Sequence, residues 1–186
     1  MNMKANDEKV VETQEWVQSV IVGLNFCPFA RREVEKKSID YRVIENDRFE
    51  ICLEELIIEC IKLDQNEEIE TALLIFPNGF QKFDHFLDLY ELADALLIEQ
   101  GYEGVYQLAS FHPGYVFAET EENDAANYTN RSPYPTLHLI REASIERVLE
   151  NVANPEDIPR QNIEQARVLG AEKMKSLLKA CFKGHH

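Results

Sequence analysis

The chain has 186 residues, a formal net charge of −15 and an apolar fraction of 45%. A chain of this length can build its own hydrophobic core, so it needs no disulfide or structural metal. The acidic excess argues against nucleic acid or an anionic membrane as a partner, because both attract basic surfaces. We predict a single domain over residues 1–186, with residues 1–6 and 183–186 disordered or derived from a tag.

The cysteine pattern and the lack of long apolar runs indicate the compartment. None of the four cysteines belongs to a CxxC pair. The first residues lack the apolar centre of a signal peptide, and no apolar run approaches the roughly 20 residues that span a bilayer. These features predict a cytoplasmic protein with reduced thiols.

The periodicity of apolar residues predicts helices and strands in the order α-β-α-β-α-β-loop-β-α-α. The predicted helices, with apolar residues at i, i+3, i+4 spacing, cover residues 8–24, 49–61, 83–100, 144–152 and 162–182. The predicted strands, with alternating or continuous apolar residues, cover residues 39–44, 71–76, 105–111 and 136–140. The second strand is apolar on both faces, which is typical of a central strand.

This order predicts a single-domain α/β sandwich, in which helices cover a mixed sheet of about four strands. Helices between the first three strands favour parallel pairing among them, and we expect the fourth strand to lie antiparallel beside the third. Residues 112–135 form a long loop between the third and fourth strands. Long loops in compact domains are commonly functional, and ligands usually bind beyond the carboxyl ends of parallel strands.

Two histidines, His112 and His138, bracket this loop. If the flanking strands are neighbours, the two imidazoles lie close together and can act as a general acid and base. With a loop carboxylate such as Glu119 or Asp124, they can also bind a divalent metal, Zn or Fe. The alternative is that each histidine hydrogen-bonds the backbone at a strand end, and no recognised metal-binding spacing supports the metal.

The second half of the loop carries Arg131 among neutral hydrogen-bonding side chains. A guanidinium matches the geometry of phosphate or carboxylate, so this segment predicts an anion-binding pocket. The alternative is that Arg131 pairs with a structural carboxylate such as Glu142. The candidate ligand-binding residues are Asn127, Thr129, Asn130, Arg131, Ser132 and Tyr134.

Cys27 follows the first predicted helix and precedes Pro28. It is either a packed thiol or a reactive one, and no basic residue directly before it lowers its pKa. A nucleophile pair of Cys27 with His112 or His138 also stays open, because such partners meet in space and not in sequence.

Four segments resemble one bacterial family, domain of unknown function 1415. They are GLNFCPFA (residues 23–30), ETALLIFP (70–77), SFHPGYVFAET (110–120) and NYTNRSPYPTLHLIREAS (127–144). Gly114 and Glu119 depart from the pattern expected for the family, which has Asp and Gly there, so Glu119 is a weak ligand candidate. The resemblance implies a single-domain protein of about this length and supplies no activity, cofactor or catalytic residue.

From the residues we expect an enzyme that acts on a small anionic metabolite by hydrolysis or group transfer. In this hypothesis Arg131 holds the anion, while His112 and His138 are the catalytic groups. The alternatives are a non-catalytic module that binds a small ligand or a protein, and a metal-binding protein that uses the two histidines.

Overall fold

The computed structural model describes residues 3–150 and 154–182, and the side chains from residue 6 onward. Its strands are β1 (Ile39–Val43), β2 (Thr71–Ile75), β3 (Tyr106–Phe111) and β4 (Thr136–Arg141). Its α-helices are α1 (Met3–Trp16), α2 (Ala30–Lys36), α3 (Phe49–Gln65), α4 (Phe83–Glu99), α5 (Glu142–Leu149), α6 (Ile158–Leu169) and α7 (Ala171–Ala180). A π-helical turn (Val17–Val22) extends α1, and 3-10 turns lie at Ala125–Thr129 and Pro155–Asp157.

The four strands form one mixed sheet with the order β1-β2-β4-β3. Strand β1 pairs with β2 in parallel, whereas β4 pairs antiparallel with both β2 and β3. The predicted antiparallel pairing of the third and fourth strands is confirmed. The predicted parallel pairing of the first three strands is wrong, because β4 lies between β2 and β3.

Burial explains this strand order. Every residue of β2 is buried, and three of the first four residues of β4 are buried as well, so both strands suit the centre of the sheet. Strand β3 exposes Gln107 and has a half-buried second half, which suits an edge. The prediction assumed that consecutive strands are neighbours, and the more apolar β4 takes the central place instead.

Helices cover both faces of the sheet. On one face, α3 and α4 pack against Leu74, Leu108 and Leu139 and form a closed apolar core. On the other face, α1, the π-helical turn, α6 and α7 pack around Leu73. Because side chains alternate along a strand, neighbouring residues of β2 and β4 belong to different cores.

Several helices differ from the prediction. Helix α2, of seven residues, is not among the predicted helices. The predicted helix over 162–182 is two helices, α6 and α7, separated by Gly170, whose φ of 83° no helix accommodates. The end of the predicted helix over 144–152 lies partly outside the described residues, as do residues 1, 2 and 183–186 of the two terminal segments. Helix α1 begins at Met3, within the first of those segments.

The π-helical turn is the unusual element of the fold. Such turns are rare and frequently occur at functional sites. It ends at Gly23, whose N–H donates to the Gln18 carbonyl at 3.0 Å, a five-residue step. A Cβ at position 23 would overlap the Ser19 carbonyl oxygen, so this turn requires glycine. Among the described residues, no helix combines the length and the apolar character needed to cross a membrane.

Candidate functional site

A cavity of about 390 Å³ lies between the sheet and the helices that pack around Leu73. Its walls are mostly apolar, and none of the residues that line it carries an acidic or basic side chain apart from one histidine. Each strand contributes a residue to it, as do α1, the π-helical turn, the loop before β4 and α6. The polar or polarisable groups among the lining residues are Trp16, Cys27, Thr71, Thr129, Asn130, His138 and Asn162.

His138 is held in this wall by a defined pair of hydrogen bonds. The Thr71 hydroxyl oxygen lies 2.6 Å from both His138 Nε2 and the Leu139 carbonyl oxygen. A carbonyl only accepts, so the single hydroxyl hydrogen is donated to Leu139 and Nε2–H donates to Thr71. The tautomer is therefore fixed, and Nδ1 keeps a free lone pair with no hydrogen-bond partner among the described residues.

Burial controls the charge of His138. The apolar surroundings disfavour the imidazolium and lower the pKa of His138 to about 4. The ring is therefore neutral at pH 7. At that pH His138 is a hydrogen-bond acceptor within an apolar cavity and not a cation that attracts anions.

Cys27 lies in the same cavity wall, just before α2. The backbone N–H groups of Phe29 and Ala30 hydrogen-bond its sulfur and favour the thiolate, but burial outweighs them and raises the pKa of the Cys27 thiol. The resting group is therefore a neutral thiol. Of the four cysteines, all unpaired, Cys27 alone is half-buried, and the other three are buried. The structure thus places Cys27 in one cavity with His138 and not with His112.

Trp16 contributes an apolar surface to the cavity wall. It is 1% exposed, and its ring edge packs against Phe111 with centroids 5.1 Å apart. Its indole N–H is enclosed by protein atoms and has no hydrogen-bond partner among the described residues. A buried donor without an acceptor is uncommon and costs free energy, so this nitrogen lowers the stability of the fold beside the cavity.

His112 has a different environment. It is 1% exposed, Nε2–H donates to the Phe80 carbonyl at 2.8 Å, and Nδ1 accepts from the Gly114 N–H at 2.9 Å. Both ring nitrogens are therefore used by the backbone, and burial lowers the pKa of His112. Phe80 has a φ of 59°, which is strained for an aromatic residue, and the bond from His112 stabilises that turn.

The sheet separates the two histidines. The ring of His112 packs against Phe83 and Phe86 of α4, whereas His138 lines the cavity on the opposite face. The structure therefore does not bring them together as an acid and base pair or as two ligands of one Zn or Fe ion. Among the described residues, no group of three or more His, Cys, Asp or Glu side chains is arranged to hold a metal.

Arg131 is engaged by the loop itself. Its Nε donates to the Tyr115 carbonyl at 3.0 Å, and its Nη2 donates to the Glu122 carbonyl at 2.8 Å. The guanidinium also lies 4.6 Å from the centre of the Tyr128 ring. These contacts connect the two halves of the loop. Glu142, the alternative partner expected for Arg131, makes none of them.

The other predicted ligand-binding residues divide between the cavity and the loop framework. Thr129 and Asn130 line the cavity. Asn127 is fully buried and bonds the loop backbone at Phe117 and Glu121, and Ser132 donates to the Tyr134 carbonyl at 2.5 Å. The Tyr134 hydroxyl donates to Glu12 and so attaches the loop to α1. Binding of a ligand by these residues stays a prediction.

The sequence analysis missed Trp16, Thr71 and Asn162. Thr71 had a usable signal, because it is the one polar residue of the otherwise apolar strand β2. Asn162 donates to the Phe26 carbonyl at 2.6 Å and joins α6 to the segment before Cys27. That contact spans 136 residues, so no local pattern could have indicated it.

Replacing Arg131 with alanine tests its structural role. We expect the free energy of unfolding to fall by about 1–3 kcal/mol, because the carbonyl groups of Tyr115 and Glu122 lose their charged donor. Arg160→Ala is the matched control, since Arg160 is exposed and contacts only neighbouring side chains of its own segment. Urea denaturation measures both. A melting temperature that inorganic phosphate raises in the parent protein but not in Arg131→Ala would instead support anion binding.

The neutral state of His138 predicts acid sensitivity. Its pKa of about 4 in the folded protein lies below the 6.5 of a free imidazole, so the unfolded chain takes up the proton first as the pH falls. Stability is therefore complete above pH 7 and decreases through 6.5 toward 4, by about 2 kcal/mol between pH 7 and pH 5. Urea denaturation of the parent and His138→Gln proteins at pH 7 and pH 5 isolates the contribution of His138 to this loss of stability. Equal pH dependence of the two proteins would contradict it.

Comparison with known proteins identifies a family without assigning a function. No curated protein and no solved structure matches the chain. The family described as a protein of unknown function (DUF1415) matches residues 8–176, which include the cavity and the whole loop. The chain therefore belongs to the DUF1415 family.

Proposed function

We propose that the chain binds a small, uncharged and mostly apolar molecule in the cavity between the sheet and α6. The observation that carries this proposal is the free Nδ1 lone pair of His138 in the wall of an apolar, partly open cavity of about 390 Å³. Ligand sites in proteins are typically enclosed and apolar, with a few polar groups that fix the orientation of the ligand. The cavity has that composition.

The charge of the ligand follows from the walls. Moving a carboxylate or phosphate into an apolar cavity costs several kcal/mol unless a cation meets it. The lining residues include no lysine or arginine, and His138 stays neutral at pH 7 because burial lowers its pKa. A non-catalytic module that binds a small ligand is therefore favoured over an enzyme that acts on anionic metabolites. An anionic ligand at Arg131 stays a prediction, which the phosphate measurement tests.

The hydrogen-bonding character of the ligand follows from His138. Its Nδ1 accepts, so the ligand carries a donor such as a hydroxyl group. Aromatic walls at Phe26, Phe111 and Phe117 favour a flat apolar body. We place this binding in the cytoplasm, as four unpaired cysteines suggest.

Three ligands of one size and different charge test the proposal: benzyl alcohol, benzoate and benzylammonium. Trp16 is the single tryptophan of the chain, so its fluorescence reports on the cavity. We expect benzyl alcohol to change it saturably, with a Kd at least about tenfold lower than that of either ion, because burying the charge is unfavourable.

A pair of matched variants completes this experiment. Ala30→Leu fills part of the cavity and should abolish the benzyl alcohol response, whereas Ala95→Leu makes the same change on the exposed face of α4 and should preserve it. Tighter binding of benzoate, or an equal response in both variants, would contradict the proposal.

A further inference from the structure

Helices α3 and α4 lie side by side on the face of the sheet opposite the cavity. Phe49 at the start of α3 stacks on His85 near the start of α4, with ring centroids 5.0 Å apart. Just beyond α4, the Tyr102 hydroxyl donates to Asp64 near the end of α3 at 3.1 Å. The two helices are therefore in contact at both ends and run in the same direction.

Apolar side chains form a groove between the outer sides of these helices. On α3 they follow Phe49 at intervals of four residues, and on α4 they follow His85 by seven and eleven residues. Residues at these spacings share one side of a helix, so both sets continue along the sides that meet at Phe49 and His85. The groove residues are Leu53, Ile57, Ile61, Leu92 and Leu96.

Solvent reaches this groove. Ile61 is 44% exposed and Leu92 is 46% exposed, and the other groove residues are half-buried. Single exposed apolar residues are ordinary in soluble proteins, whereas a contiguous apolar patch with a polar rim marks a surface that binds another molecule.

The rim of the groove is acidic. Each of the two helices carries five acidic residues, while Lys62 is their one basic residue and is held by Asp40 and Glu59. Exposed carboxylates flank the groove, because Glu54 precedes Ile61 by seven residues and Asp88 precedes Leu92 by four. Neither helix has a second cation to offset them.

The helix dipoles add to this negative charge. Because α3 and α4 run in the same direction, their carboxyl-terminal ends, which carry partial negative charge, lie at the same end of the groove. Glu99 in the last turn of α4 and the exposed Glu67 and Glu68 beyond α3 stand at that end. The potential is therefore negative along the groove and strongest there.

We propose that the groove binds a basic amphipathic helix of another protein. The apolar side of such a helix packs on the groove residues, and its lysines and arginines face Glu54, Asp88 and Glu99. The stretch from Leu53 to Ile61 is roughly 12 Å long, so about three turns of helix cover it. This binding is independent of the cavity, which lies on the other face of the sheet.

Charge distinguishes this partner from two others. A second copy of the chain, docked through the same surface, would place acidic rims against each other, and like charges disfavour that contact. An anionic lipid surface is repelled by the same carboxylates. A cationic helix satisfies the apolar groove and the acidic rim together.

The test measures binding of a fluorescein-labelled peptide of lysine and leucine by fluorescence anisotropy in about 0.15 M salt. All the leucines of the peptide lie on one helical side. We expect saturable binding, and a Kd at least about tenfold higher for a scrambled peptide that spreads the same leucines around the helix.

Matched variants locate the binding. Ile61→Ser should raise the Kd about tenfold, whereas Ile98→Ser, at a 52% exposed residue on the side of α4 away from α3, should leave it unchanged. Asp88→Asn should raise the Kd roughly threefold more than Asp94→Asn, which removes the same charge on that far side. Each changed side chain is exposed, so an unaltered urea midpoint verifies the fold.

Three results would overturn the proposal. Equal binding of the two peptides would show attraction by net charge alone. Equal effects of Ile61→Ser and Ile98→Ser would place the peptide elsewhere on the surface. A parent dimer in sedimentation that Ile61→Ser dissociates would assign the groove to a second copy of the chain.

Discussion

The hydrogen bond between His138 and Thr71 is the constraint on which the candidate site depends. It joins the two central strands, β2 and β4, on one face of the sheet, and it fixes the tautomer of the His138 imidazole. On the other face the same pair of strands presents apolar side chains to α3 and α4, except at the end of β4, where Arg141 donates to the Leu63 carbonyl. One face is therefore a closed core, and the other contains a cavity with a polar group in its wall.

The surroundings of the cavity depend on chain segments that are costly to fold. The π-helical turn brings Val17 and Ile21 to the cavity wall and requires Gly23 at its end. Helix α6 closes the same space and is held by Asn162 and by the Arg167 ion pair with Asp124. Two features beside this cavity lower the stability of the fold: a rare helix type and a buried donor without an acceptor. Such local losses of stability are common at binding sites.

The sequence predicted the strands well because β2 and β4 are dense in apolar residues, and burial dominates strand formation. It did not predict their order, because the preference of β4 for the centre over β3 depends on the burial of the whole sheet. The two histidines show the same limit. His112 and His138 stand at opposite ends of one loop, but the pleat of β4 and the turn after β3 direct them to different faces. The sequence around Arg131 predicts an anion-binding residue. In the structure its partners are backbone carbonyl groups, which no spacing in the sequence identifies.

The measurement that tests this account most directly is the ¹⁵N NMR spectrum of the histidine rings with and without benzyl alcohol. The account predicts that His112 and His138 both carry hydrogen on Nε2 at pH 7. It also predicts that benzyl alcohol shifts the Nδ1 signal of His138 toward that of a hydrogen-bonded acceptor. The Nδ1 signal of His112, already bonded to Gly114, should not move. A His138 signal that ignores the ligand, or a hydrogen on its Nδ1, would contradict the account.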